Sequence, residues 1–255
     1  MKKSTLCIVL CLLLAGMLPG ISRAQQQATS GFAVFEEKVS TADMAAFQQA
    51  QQEAVDMWNK LNLGVSIGCY STDDNAFFWV IPARSFASLD TIFGKTSAFL
   101  KKAKEQEGYD GSGFRDLSTS NFSFIFWRPD LSYHPEGYEG PSADKPYVEW
   151  SFCYMRQGHE KEAAAAVKKF VDFYKKNGID YGWNFFEVAL GYDVPAWIVM
   201  DNSTDALTMR QTEKSLNEKY GAEFKEMWTE FAKHVRHIEN RTGRYMPKWS
   251  VTVND

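Results

Sequence analysis

Tyr147-Val148-Glu149-Trp150-Ser151-Phe152-Cys153-Tyr154-Met155, a break at Arg156-Gln157-Gly158-His159, then Glu160-Lys161-Glu162-Ala163 running on to Asn177-Gly178: the fold can be read outward from this stretch. Val148, Trp150, Phe152 and Tyr154 alternate at period two, the pattern of a half-buried strand rich in aromatics. Beyond Gly158, Ala163, Val167, Phe170, Val171 and Tyr174 recur at three- and four-residue steps, which predicts an amphipathic helix over 160–177. Acidic residues in its first turn and Lys175-Lys176 in its last agree with the helix dipole, and Asn177-Gly178 supplies a left-handed stop.

A fainter copy lies upstream. The patterns predict a strand over 32–38, a helix over 41–61, a hairpin of strands 65–70 and 77–81 around a turn at 72–75, and a helix over 85–104. Downstream of 177 the same order returns, with strands over 182–189 and 196–200 and a helical region from 204 to about 240. Gly64 and Gly182, Trp79 and Trp197, Ser85 and Ser203, and Leu89 and Leu207 are each 118 positions apart. The same step carries Pro129-Asp130-Leu131-Ser132 onto Pro247-Lys248-Trp249-Ser250. Each copy is then β-α-β-β-α with a proline-bearing tail as candidate last strand, and 122–127 fits strand or helix. The predicted fold class is α+β: two tandem ferredoxin-like repeats, 32–133 and 147–255, joined by a Pro- and Gly-rich linker at 134–146. Packed sheet to sheet as a fused α/β barrel, they form a pseudo-dimer within one chain. Packing on both faces explains a strand such as Phe77-Phe78-Trp79-Val80-Ile81, apolar throughout.

The chain opens with Lys2-Lys3, an apolar run from Leu6 to Leu14, and Ser22-Arg23-Ala24, the form of a secretory signal peptide cleaved after Ala24. Removing those 24 of 255 residues leaves 231, with 25–31 as a polar lead-in. The expected product is secreted or periplasmic, with no further apolar run long enough to hold it in a membrane. A net charge of −4 without a basic stripe argues against nucleic acid as a partner. Of four cysteines, Cys69 and Cys153 survive signal removal; both sit in predicted strands, so two buried thiols and a disulfide stay equally open. The 8 Trp and 19 Phe are enough to fill a core or to wall a pocket.

Strand, Arg156-Gln157-Gly158-His159, and an acidic helix start resemble the opening of dimeric α/β-barrel proteins, a superfamily that includes antibiotic-biosynthesis monooxygenase-like and NIPSNAP-like domains. Ile81-Pro82-Ala83-Arg84-Ser85-Phe86-Ala87-Ser88-Leu89 is similar to the NIPSNAP-like step from hairpin into second helix. Arg128-Pro129-Asp130-Leu131-Ser132-Tyr133 looks like the tail of related tandem-repeat proteins. The resemblance implies a cleft between sheet and helices in each half. It implies no activity, since the superfamily runs from cofactor-free oxygenases through haem-handling proteins to non-enzymes. The Asn, Trp and His constellation of its haem-degrading members has no counterpart here.

The residues themselves offer few sites. Glu36, Glu37, Glu149 and Glu187 are carboxylates within predicted strands, and each must meet water, a cation or a pocket. Glu187 shares period-two spacing with Trp183 and Phe185, which makes it the candidate catalytic carboxylate; with Tyr154, Trp183 and Asn184 it would bind a small polar ligand. Arg128 would clamp a ligand carboxylate or, equally well, pin the tail through Asp130. His234-Val235-Arg236-His237 places two imidazoles three apart on the predicted helix, with Glu230 one turn earlier. This is a weak metal or haem spacing beside the plain reading of a solvated face. No phosphate loop, Ser-His-Asp signature or paired-Cys zinc motif is present, so no cofactor or metal is predicted, with haem as the alternative. The expectation is an exported protein that binds a small, partly apolar molecule. A haem- or oxygen-handling enzyme and a filled structural or partner-binding scaffold are the alternatives, to be separated by whether a cavity exists. Oligomeric state is not legible.

Overall fold

A computed structural model describes residues 30–253; the signal-peptide and cleavage-site expectations lie outside the described residues. The first half runs β1 (Gly31–Val39), α1 (Met44–Leu61), β2 (Gly68–Thr72), β3 (Ala76–Ala83), α2 (Ser88–Glu107) and β4 (Ser118–Trp127). The second runs β5 (Tyr147–Met155), α3 (Glu160–Asn177), β6 (Trp183–Leu190), β7 (Ala196–Ser203), α4 (Ala206–Ala232) and β8 (Val235–Tyr245). All eight strands close into one antiparallel barrel in the order β1-β3-β2-β8-β5-β7-β6-β4. Within it each half keeps the same neighbour order, β4-β1-β3-β2 and β8-β5-β7-β6. The halves therefore join edge to edge, through β2–β8 and β4–β6, rather than only face to face. Closure gives each described strand a neighbour on both sides, although β2 and β8 pair only over Tyr70–Thr72 and Gly243–Tyr245.

Strand alternation sorts the core into three layers. Val34, Phe78, Ile125, Trp150, Phe152, Phe186 and Ile198 point into the barrel. Outside, Phe47, Phe77, Trp79 and Ile92 pack the first half's sheet under α1 and α2, and Val167, Tyr174, Trp183, Phe185 and Trp197 pack the second half's under α3 and α4. This is why Phe77 to Ile81 is apolar on both faces: Phe77, Trp79 and Ile81 meet helices while Phe78 borders the interior.

One open reading is decided and two expectations are corrected. The segment 122–127 is the end of β4, because pairing with both β1 and β6 leaves no room for helix. The long helix stops at Ala232, and 235–245 is a strand between β2 and β5. Charged on both faces, β8 carries no apolar alternation to announce it; its two neighbours supply the hydrogen bonds that make it a strand. Since β4 and β8 complete the sheets, the proline-bearing tails are not the last strands. Each crosses to the other half: Leu131 and Tyr133 bury in the second outer core, with Tyr133 bridging to Trp183, and Trp249 buries in the first, with Val251 bridging to Ile67. Cys69 and Cys153 are free, buried thiols in these separate outer cores.

Candidate functional site

On the outer face of the second half, Ser151 and Cys153 of β5, Trp183 and Phe185 of β6, and Val199 and Asp201 of β7 form a floor. Val167, Phe170 and Tyr174 of α3 roof it on one side, and Leu216, Phe224, Trp228 and Phe231 of α4 on the other. Between them lies a cleft of about 330 Å³. Its outer wall changes direction: α4 is kinked at Tyr220, whose φ of −130° is non-helical, beside Gly221. The segment carrying Phe224, Trp228 and Phe231 is thereby tilted over the floor, and Trp228 stays 49% exposed at the rim.

Asp201 is the polar centre of this cleft. Three carboxylates gather there, but Arg210 takes two of them, Glu149 at 2.5 Å and Glu213 at 2.7 Å. Among the described residues Asp201 has no cation partner. Loss of water around it, then the charges of Glu149 and Glu213, push its pKa up to about 7, with a hydrogen bond from Tyr181 acting the other way. Such a group changes protonation near neutrality and can accept from, or donate to, a bound molecule.

The expected site residues do not come together. Trp183 lines the cleft, with its indole N–H donating to the Leu131 carbonyl at 2.9 Å. Glu187 lies on the same outer face but farther along β6, in a surface groove with Arg128, Lys168 and Trp197. There Arg128 holds Glu187 at 2.5 Å and grips Asp130 through two bonds of 2.9 and 3.0 Å, so its guanidinium serves the tail and is not free for a ligand carboxylate. The Arg128 bonds hold the Asp130 carboxyl below its usual range. Asn184 and Tyr154 point the opposite way. Asn184 lines the barrel interior, bonded to His134 and Tyr138 at 3.0 Å each, and Tyr154 stacks on His237 at that interior's edge. Odd and even positions of one strand face opposite sides, so a Glu187–Asn184–Tyr154 set cannot form.

The barrel interior itself encloses a second cavity of about 340 Å³, lined almost wholly by apolar side chains such as Phe32, Val80, Ile125 and Phe186. An eight-stranded barrel is just wide enough for side chains to fill it or for one small ligand to enter. Side chains therefore do not fill the barrel core.

No family model matches the chain. No curated protein matches it either. Among solved structures, an anthrone oxidase-like protein superposes with a TM-score of 0.59 at 10% identity, over 86% of this chain and 92% of that one. A candidate monooxygenase from Fusobacterium nucleatum subsp. nucleatum gives 0.51 at 12% identity, over 86% and 93%. A mutant chlorite dismutase from Candidatus Nitrospira defluvii gives 0.51 at 12%, over 86% and 92%. The fold is the dimeric α/β barrel. At these identities the likeness concerns fold alone, and chemistry has to come from the site.

The haem alternative can be tested on this dimeric α/β barrel directly. His234 follows the end of α4 and faces His159, Nδ1 to Nδ1 at 3.1 Å; His237 sits on β8 against Tyr154. Neither lines the cleft, and no histidine does among the described residues. The one thiol there, Cys153, is buried, and burial pushes its pKa up to about 12. The cleft thus presents no imidazole for a proximal haem ligand; its oxygen and sulfur donors include Tyr174, Tyr181, Asp201, Glu213 and Cys153. No described group of three or more His, Cys, Asp or Glu residues is arranged to hold a metal ion.

Asp201 was missed in the sequence although its signal resembles that of Glu187. Trp197, Val199 and Asp201 alternate on one face of an apolar strand, and Trp197, like Trp79 118 positions earlier, packs under helices. Tyr181 and Glu213 carried no local signal, because the β6–β7 pairing brings the one, and the packing of α4 the other, to Asp201.

Proposed function

We propose that this chain is an exported small-molecule-binding protein, built from two tandem ferredoxin-like repeats, whose ligand occupies the sheet–helix cleft of the second half. Export is supported by Lys2-Lys3, the apolar run and Ser22-Arg23-Ala24, and the repeats by identical strand order in the two halves. The NIPSNAP-like reading is supported by the step at Ile81–Leu89, where β3 passes directly into α2. The observation that carries the site is Asp201: a carboxyl without a cation, within aromatic walls, beside a pair of acids that share one guanidinium. A carboxylate so placed selects a donor, and the aromatic walls select flat apolar surface and tolerate positive charge. The matching ligand is small, partly apolar and bears an amine. The neighbours' names, anthrone oxidase-like and monooxygenase, suggest oxygen chemistry, but no histidine lines the cleft among the described residues, so the reading is of binding.

Calorimetric titration with tryptamine and with indole-3-acetate, an aromatic amine and an aromatic acid of similar size, tests this. The amine should bind more tightly, its affinity should rise as pH is raised through about 7 while Asp201 ionises, and Asp201→Asn should remove both effects. Equal affinities, or a preference for the acid, would sink the assignment. Native mass spectrometry with an absorption scan after haem supplementation provides the independent check: a Soret band with retained haem mass would restore the haem alternative.

A further inference from the structure

The barrel interior is separate from the cleft, on the other face of the same strands, and its chemistry differs. Its charges are already matched: Arg241, lying over the Phe78 and Phe152 rings, is held by Glu36 at 2.5 Å and Glu239 at 2.7 Å. An anionic ligand finds no free cation there. Other polar groups at the lining are also engaged, Asn184 by His134 and Tyr138, and the Trp127 indole by Ser132.

Tyr70 and Trp150 carry two of the lining's unengaged donors, beside the Tyr192 hydroxyl. Tyr70 and Trp150 both line the cavity, their rings meeting edge to face at 5.8 Å. Among the described residues neither the Tyr70 hydroxyl nor the Trp150 indole N–H has a hydrogen-bond partner, yet neither atom is sealed from contact; the one sealed, unpaired side-chain atom is Nε2 of Gln51. Burial drives the Tyr70 hydroxyl's pKa upward, so it stays a donor at any physiological pH. One occupant would fill the apolar space and give both donors an acceptor.

We propose that the barrel interior is a second ligand site that takes a compact, uncharged, largely aromatic molecule with one acceptor oxygen, a ketone or quinone, to which Tyr70 and Trp150 donate. The aromatic side chains around it, Phe32, Phe78, Phe152 and Phe186, supply flat apolar contact, and the compensated Arg241 rejects carboxylates.

Three matched probes test this by quenching of tryptophan fluorescence: 9-fluorenone, fluorene, which lacks the oxygen, and 9-fluorenone-4-carboxylate, which adds a charge. Fluorenone should bind roughly three- to tenfold more tightly than fluorene, the worth of one or two neutral hydrogen bonds, and the carboxylate most weakly. Tyr70→Phe keeps the ring and the fold and should cut the advantage of fluorenone over fluorene, leaving only what the Trp150 indole N–H supplies. Val80→Phe, with folding checked by thermal unfolding, should fill the cavity and abolish binding of all three. Asp201→Asn should leave fluorenone binding unchanged, so failure of the cleft assignment and failure of this one are distinguishable. Fluorenone affinity that is equal to fluorene's, or indifferent to Tyr70→Phe, overturns the proposal, as does absence of binding.

Discussion

Arg241 Nη1 lies 2.5 Å from Glu36 Oε1, tying the last strand of the second half to the first strand of the first half across the barrel interior. The two side chains are only 12% and 6% exposed, and Glu239 takes the Arg241 Nε at 2.7 Å. Taking both charges out of water offsets much of their attraction, so the pair specifies how the halves meet more than it stabilises them. Removing one partner alone strands a buried charge. Arg241→Met should therefore lower unfolding stability by about 3–5 kcal/mol, read from urea denaturation. Combining it with Glu36→Gln should return most of that loss; a double variant as unstable as the single one would show that the pairing is not what matters.

Asp201 makes stability pH-dependent in a defined sense. Its folded pKa, about 7, is above the ordinary value of about 4 that it regains on unfolding. Between those values the folded state binds more protons than the unfolded one. The contribution is full below about pH 4 and is lost as pH rises through about 7. The difference in stability between Asp201→Asn and the native chain should grow in the variant's favour from pH 5 to pH 8, by roughly 1–4 kcal/mol. Urea midpoints that shift in parallel across that range would place Asp201 in water instead.

Cys69 and Cys153 are buried in different outer cores, and burial raises both thiol pKa values, that of Cys153 to about 12. Thiolate is the reactive form, so neither should react with Ellman's reagent in the native state, even at pH 9. Both should react once the chain is unfolded in denaturant. An intact mass lower by two hydrogens, with no thiol appearing on unfolding, would reveal a disulfide.

The β2–β8 seam depends on Gly243. A Cβ there would stand 2.0 Å from the Ser71 carbonyl oxygen and 2.9 Å from Thr72 Cα, both backbone atoms that cannot turn aside. Gly243→Ala must push the two strands apart where the barrel closes. The expected cost is about 2 kcal/mol or more, with amide exchange accelerated in β8 near Gly243 and not in β1. A variant as stable as the parent would mean that the seam has slack.

The residues that alternate or recur at helical spacing were legible without coordinates. Val148 to Tyr154, the Ala163–Tyr174 helix and the step of 118 together imply two similar α+β halves, because period and order are properties of the chain itself. The doubly apolar strand at Phe77–Ile81 already required something on both faces. What failed was local chemistry without local pattern. β8 has charges on both faces and becomes a strand only because β2 and β5 flank it, which moved His234 and His237 off the helix assigned to them. Glu187 looked like a pocket acid and is the Arg128 partner; Asp201, on the neighbouring strand, is the acid that the packing leaves without a cation.

By itself, then, the sequence determined the type and order of the elements with a clear apolar period, from β1 to β3 and from β5 to β7 with their helices, and the two-faced burial of Phe77–Ile81, which follow from the spacing of apolar residues along the chain. Only the tertiary structure decided which edges join to close the barrel, which carboxylate meets a cation, and where space remains between side chains. Those depend on distances between residues far apart in sequence, such as Glu36 and Arg241, and on volumes that no run of residues encodes alone.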